Sequence, residues 1–350
     1  MTSLASVRSH ANAHLRRTPV SRPGLRFSHI VFVPLVALIL LTGVDSATAQ
    51  NVDIPAILSP SLKGPPTTLT VNYLHQFKAD VEDAGTKIAR DSLLLSGTRR
   101  LVKTDKVSFY GFGTYALTAY DFSHNNGTNY QWGNVNRFVL GGFVGYEINE
   151  KWDLIGGLYG RSWGEAGATF KDTLSGGLMG GFNYTANPDF SAGLIVGIVS
   201  GLENPVGLIP IPTMKWRFAE DWHWDIGMTS VGDPGIGSTL VWKFADDFSF
   251  GTGFSYQNRR YRLNDKTRIN PVNNPADPSG RVDQGGVGQE TEIPVFVSLR
   301  YLPTKLSIIN LIGGVALNGN IRVEDHNGGR ISDDDYDAAL FLGLIGRVAF

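Results

Sequence analysis

The chain ends on Leu340-Phe341-Leu342-Gly343-Leu344-Ile345-Gly346-Arg347-Val348-Ala349-Phe350, and the reading of this stretch decides the fold. Even positions carry Leu340, Leu342, Leu344, Gly346, Val348 and Phe350. Odd positions include Gly343, Arg347 and Ala349. Alternation with a period of two is the signature of a strand with one apolar face. Chain ends usually fray into water. A terminal apolar strand that closes on phenylalanine therefore calls for an apolar surrounding. The last strand of a membrane barrel has one: its outer face meets lipid and its final aromatic sits at the interface. A soluble sheet with an edge strand at the end of the chain is the alternative.

The other end points the same way. Arg8, Arg16, Arg17, Arg22 and Arg26 precede an apolar run, Ile30–Val44, which is followed by Ala47-Thr48-Ala49. A basic region, a short hydrophobic region and a small-x-small site make an export signal. The run is short of the ~20 apolar residues of a helical span, so an uncleaved inner-membrane anchor is the lesser alternative. The expected organisation is a Sec-type signal peptide over 1–49, a short periplasmic segment over 50–66 and a barrel over 67–350.

Composition narrows the class. Cysteine is absent, so there is no disulfide framework and no thiolate metal site. Glycine is abundant, 42 of 350 residues, where about 7 % is usual. Charged residues are 18 % of the chain. Yet no stretch after the signal is continuously apolar for a helical span. Beyond residue 49 the net charge is about −5, which argues against a nucleic-acid partner.

A repeated turn organises the rest. Trp216-Arg-Phe-Ala-Glu-Asp-Trp-His-Trp224 and Trp242-Lys-Phe-Ala-Asp-Asp-Phe-Ser-Phe250 are near copies. Each is a strand end, a tight polar turn and a strand that starts on an aromatic. Related turns lie at Tyr146–Trp152, Tyr184–Phe190, Leu101–Val107 and Tyr301–Leu306. Longer polar connections alternate with them, near 78–91, 122–134, 160–172, 200–208, 230–237, 257–289 and 318–335. Six short turns and seven long connections predict an all-β, antiparallel, up-and-down transmembrane barrel of about 14 strands, with 12 as the rival count. Segment 92–100 is the weakest strand of the set. In Phe248–Tyr256 one face carries Phe248, Phe250, Phe254 and Tyr256, and the other Ser249, Gly251, Gly253 and Ser255.

In these features the chain resembles bacterial outer-membrane β-barrel proteins. In that class a C-terminal strand of alternate hydrophobic residues ending in Phe is the usual assembly signal. The resemblance assigns that role to Phe350 and implies location in the cell outer membrane. It implies as partners the barrel-assembly machinery, outer-membrane lipid and lipopolysaccharide, with small polar solutes as cargo.

Projecting the polar strand faces inward yields candidate lumen residues: Arg137, Glu147, Lys215, Arg217, His223, Asp225, Lys243, Glu292, Arg300 and Arg347, together with Asp153 and Arg161. Facing lipid near the midplane, such charges would cost about 2–4 kcal/mol each. Two readings follow. One is a polar channel with a basic bias around Lys215, Arg217 and Lys243. The other is a ladder of ion pairs that holds a narrow barrel shut.

The loops add weaker signals. The segment Glu324–Asp337 is strongly acidic and opens like a Ca²⁺ loop, but Arg330 and Tyr336 stand where an EF-hand needs Gly and Glu. The connection 257–289 holds Arg259, Arg260, Arg262, Lys266, Arg268 and Arg281, a cluster suited to lipopolysaccharide phosphates or to a constriction in the lumen. No catalytic fingerprint is present. The histidines beyond the signal, His75, His124, His223 and His326, are scattered. No catalytic, cofactor or metal residue is assigned. The function read from the sequence is a passive pore or structural barrel. A loop-based adhesion barrel and a secreted soluble β-protein are the alternatives.

Overall fold

The computed structural model describes residues 65–82, 85–124, 130, 132–200, 202, 207–229, 231–267 and 286–350. The expected signal peptide and nearly all of the 50–66 segment lie outside the described residues, as does the arginine-bearing stretch 268–285.

Fifteen hydrogen-bonded segments follow in chain order: β1 (Thr67–Val81), β2 (Thr86–Lys103), β3 (Val107–His124), β4 (Asn134–Glu147), β5 (Trp152–Glu165), β6 (Leu174–Asn187), β7 (Phe190–Val199), β8 (Gly207–Ala219), β9 (Trp222–Thr229), β10 (Gly235–Ala245), β11 (Phe248–Arg262), β12 (Val287–Thr304), β13 (Ser307–Glu324), β14 (Arg330–Tyr336) and β15 (Ala339–Ala349). Each strand pairs antiparallel with its sequence neighbours. The segments β14 and β15 both lie between β13 and β1, so they are two halves of one closing strand. The molecule is thus a closed 14-strand antiparallel barrel. Closure is sealed at the ends: Thr67 N donates to Phe350 O at 2.9 Å, and Phe350 N donates to Thr67 O at 3.0 Å. Full closure leaves no open sheet edge, as a lipid environment demands.

Side-chain direction follows the alternation. On β15, Leu340, Leu342 and Phe350 are exposed, whereas Phe341, Ile345, Arg347 and Ala349 are buried inside. The same division runs around the barrel and leaves an outward apolar belt that includes Leu69, Leu95, Leu140, Leu158, Leu178, Phe254, Val297 and Leu311. The aromatic-flanked turns of the sequence gather at one rim. There Trp216, Phe218, Trp222, Trp242, Phe244, Phe248 and Tyr301 form a chain of rings with successive centroids 4.8–6.4 Å apart. An apolar belt edged by such a girdle is the outside of a transmembrane barrel.

The structure corrects three expected loops and one expected weak strand. The connection expected over 78–91 shrinks to 82–85, because β1 runs to Val81 and β2 begins at Thr86. Arg259, Arg260 and Arg262 belong to β11, and 318–335 is largely strand, broken at 325–329. Segment 92–100 is the middle of β2, an 18-residue strand. One cause explains the three loops. Apolar residues mark a strand only where its outer face meets lipid. Beyond the belt the ladder continues between polar residues, and the sequence reads as loop. A bulge accompanies one extension: Asn318 adopts φ 51°, where the β12–β13 register shifts.

Candidate functional site

The buried interior of the barrel is ionic. Arg90 on β2 reaches across to β12, where Nη1 donates to Glu290 Oε1 and Nη2 to Glu292 Oε1. Arg259 on β11 donates from Nη2 to Glu292 Oε1 at 3.0 Å, and its Nη1 lies 3.4 Å from Glu290 Oε2. Its Nε donates to Asp233 Oδ2 at 2.5 Å. The other oxygen of Asp233, Oδ1, is 2.6 Å from Arg137 Nη2 on β4. Tyr120 donates to Glu290 Oε2 at 2.7 Å, and the Tyr336 hydroxyl sits 2.9 Å from Glu292 Oε2. Three guanidinium groups thus face three carboxylates, all nearly inaccessible to water. A lone buried charge would cost far more than a balanced, hydrogen-bonded set.

Asp233 does not come from the wall. It belongs to Val231–Pro234, the connection between β9 and β10, which turns inward. Asn72 Nδ2 on β1 donates to Gly232 O at 2.9 Å, and Gln257 Nε2 on β11 donates to Val231 O. Gly232 has φ +72°, and a Cβ there would lie 3.2 Å from the Leu74 side chain. Glycine is therefore required where this segment enters the barrel. Burial alone would raise the Asp233 carboxyl. The guanidinium groups of Arg137, Arg259 and Arg90 outweigh burial and hold it well below the ordinary carboxylate range.

Aromatic rings close over the charges. Trp132 packs edge-on against Tyr120, Phe122 and Tyr130 at 6.0, 4.9 and 5.5 Å. Tyr261 joins Trp132 to Trp163. The Arg137 guanidinium lies 4.7 Å from the centre of the Trp163 ring, and that of Arg161 5.7 Å, a cation–π arrangement. Beside this cap the barrel is pinched. Arg262 on β11 pairs in register with Gly164 on the non-adjacent β5, and Glu165 Oε2 accepts from Asn264 N at 2.9 Å.

The filling is one-sided. Inward residues of β1, β2, β12, β13 and β15 are almost all buried. Along β5, β6 and β8 the inward residues Tyr159, Ser175, Asn183, Thr213 and Lys215 stay half-exposed. A recess below the ionic cluster is lined by Asp225, Thr239, Phe296, Ser298, Arg300 and Asn310.

The candidate residues read from the sequence are spread through the barrel. Arg137 and Glu292 are members of the ionic cluster. Asp225 and Arg300 line the recess; His223 lies beside Asp225 at 3.6 Å, and Lys215 stands opposite Asp225 in the β8–β9 register. Arg347 is buried on β15, in register with Thr70, and Glu147 is half-buried near a turn. Asp153 stands opposite Glu147 in the β4–β5 register, and Arg161 lies over Trp163. Arg217 and Lys243 sit at the girdled rim, where Arg217 pairs with Asp189 at 3.5 Å and Lys243 with Asp246 at 3.4 Å. The proposed basic patch of Lys215, Arg217 and Lys243 is thus interleaved with acids. The cluster also contains Arg90, Glu290, Asp233, Tyr120 and Tyr336, which no sequence signal singles out, and Arg259, expected in a loop that meets lipopolysaccharide or constricts the lumen. A signal existed for one of them: the polar face Ser249, Gly251, Gly253, Ser255 continues in phase to Gln257 and Arg259.

The acidic segment 324–337 uses its carboxylates internally. Asp325 Oδ1 accepts from Asn327 N and Gly329 N at 2.8 and 2.7 Å, and Asn320 Nδ2 donates to Asp333 and Asp335. Among the described residues no group of three acids or histidines is placed to hold a metal ion. His75 lies on the outer wall, its Nδ1 2.9 Å from Asp91 Oδ1, which also accepts from Tyr73 at 2.6 Å.

No protein-family model matches the chain. No curated protein matches it either. Solved structures do. An outer-membrane channel from Pseudomonas putida F1 aligns over 87 % of this chain and 100 % of its own, with 11 % identity and a TM-score of 0.42. The Pseudomonas putida toluene transporter TodX aligns over 85 % of this chain and 93 % of its own, with 11 % identity and a TM-score of 0.44. A FadL homologue of Pseudomonas aeruginosa covers 81 % of this chain and 90 % of its own, with 11 % identity and a TM-score of 0.43.

Proposed function

We propose that the protein is an outer-membrane channel for small polar solutes, closed in the present conformation by the ionic cluster and the β9–β10 connection. The observation that carries this reading is the one-sided filling. A barrel that serves as a scaffold has no use for water-accessible polar residues along one side of its inner wall. Here Ser175, Asn183, Thr213 and Lys215 line such space beside a plugged region. Charged and polar side chains that line a barrel interior are what set passage through it. Export by a cleaved signal over 1–49, assembly guided by Phe350 and contact with lipopolysaccharide belong to the same reading.

Planar-bilayer recording tests it. The full-length protein is compared with a variant in which Val231–Pro234 is replaced by two glycines. The wild type is expected to conduct weakly and the shortened variant several times more. Silence of both proteins, each inserted and folded, would discard the channel in favour of a structural or adhesive barrel.

A further inference from the structure

We propose that Arg137 and Arg259, with the rings around them, form a binding site for a carboxylate carried on an apolar or aromatic body, and that Asp233 fills this site as an internal stand-in. For its part in transport the proposal rests on the channel reading above; as a binding site it stands by itself.

The carboxylate of Asp233 is held as a free ligand would be. Each of its oxygens meets a different guanidinium: Oδ1 faces Arg137 and Oδ2 faces Arg259. Guanidinium groups are the usual partners of a carboxylate at a recognition site. The group arrives on a connection that contributes no strand hydrogen bonds. Its main anchors besides these ion pairs are the bonds from Asn72 to Gly232 and from Gln257 to Val231. Withdrawal of Val231–Pro234 therefore breaks no part of the barrel ladder, which resumes at Thr229 and Gly235.

The charge left behind favours an anion. Without Asp233, the buried wall around the site holds Arg90, Arg137 and Arg259 against Glu290 and Glu292. One positive charge would then be in excess in a dry interior, where an uncompensated charge is strongly unfavourable. A donor is also in reserve. Arg137 Nε has no hydrogen-bond partner among the described residues, although the side chain is more than nine-tenths buried. The surroundings specify the rest of the ligand. Trp163 lies under Arg137, and Tyr261, Trp132 and Tyr120 continue the ring surface. A carboxylate with a flat apolar body would meet the arginines at its charged end and the rings along its side. Its binding would displace Asp233 and with it the segment that closes the barrel.

The test reads binding apart from conduction. Benzoate, benzyl alcohol and chloride are titrated at constant ionic strength near neutral pH into the full-length protein in detergent, with tryptophan fluorescence as the readout. Wild type is compared with Asp233→Ala and with the isosteric Asp233→Asn. A tethered carboxylate competes at an effective concentration on the order of millimolar. Benzoate is therefore expected to saturate both variants at a concentration at least about tenfold lower than in wild type. Benzyl alcohol and chloride should give no saturable change, and Arg137→Gln added to Asp233→Asn should abolish the benzoate response. If Asp233→Ala does not fold, Asp233→Asn alone decides. Absence of a saturable benzoate response in the folded Asn variant, or an equal response to benzyl alcohol, overturns the proposal. Saturable binding with no conductance in the shortened variant retains the site and removes the channel. Conductance without benzoate binding does the reverse.

Discussion

Arg90 and Glu290 stand 200 residues apart in the chain and meet side chain to side chain inside the barrel, at 2 % and 0 % exposure. The pair ties β2 to β12, which lie on opposite flanks of the closing strand. It turns a ring of local hairpins into a structure braced through its interior. Removing one partner of a buried pair leaves an uncompensated charge and costs about 3–5 kcal/mol, whereas replacing both by apolar groups costs far less. Arg90→Leu is expected to lower the stability of the folded barrel by about that amount. The double change Arg90→Leu, Glu290→Gln, which leaves Arg137 and Arg259 against Asp233 and Glu292, should recover most of it. Urea titration followed by heat-modifiable gel mobility measures both. A double variant no more stable than Arg90→Leu would show that the unpaired carboxylate is not the source of the cost.

The closure should withstand acid. The folded-state Asp233 carboxyl lies below its unfolded value, about 3.9. A depressed carboxylate contributes stability that is fully present above the unfolded value and is lost as pH falls through the folded one. Between neutral pH and about 4.5 the contribution is therefore constant. Conductance of the wild type is expected to be flat across that range, with opening below it. A rise in conductance on going from pH 7 to pH 5 would place the gate elsewhere.

Much of the fold is legible in the sequence. The six short turns, most of them flanked by aromatics, set the strand count by alternating with seven longer connections. The direction of the alternation was legible in Leu340–Phe350 and in Phe248–Tyr256. The ionic cluster was not. Arg90 and Arg259 lie beyond the lipid belt, where outward residues turn polar and a strand no longer announces itself. Asp233 lies in a connection, and nothing local distinguishes a turn that enters the barrel from one that leaves it. Which inward charges meet depends on strand stagger and on how far the barrel is pinched at Gly164 and Arg262. Those are properties of the closed sheet and not of any one segment.

The two rims offer a topological test. The turn holding Asp246 joins β10 to β11 at the aromatic rim, and the turn holding Asn327 joins β13 to β14 at the other. The chain has no cysteine, so single replacements give a clean signal. Asn327→Cys should react with an impermeant maleimide on intact cells. Asp246→Cys should react after the outer membrane is permeabilised and not before. The opposite pattern would place the aromatic rim outside and reverse the barrel.

The last residue joins two roles. Its backbone exchanges both hydrogen bonds with Thr67, which registers the first strand against the last, and its ring is 43 % exposed on the outward face. Truncation at Ala349 removes the ring and the backbone partner together. Phe350→Asp keeps the backbone and sets a charge where lipid is expected. If the ring serves assembly, both changes should slow insertion and increase degradation before the barrel closes. If closure depends on the backbone pair alone, Phe350→Asp should assemble at the wild-type rate while the truncation fails. Pulse-chase measurement of heat-modifiable protein separates the two. Phe350→Tyr supplies the control, since it retains an interfacial aromatic and is expected to assemble as wild type. Near-normal assembly of the Asp variant would remove Phe350 from the assembly signal and leave the alternation of Leu340, Leu342 and Leu344 to carry it.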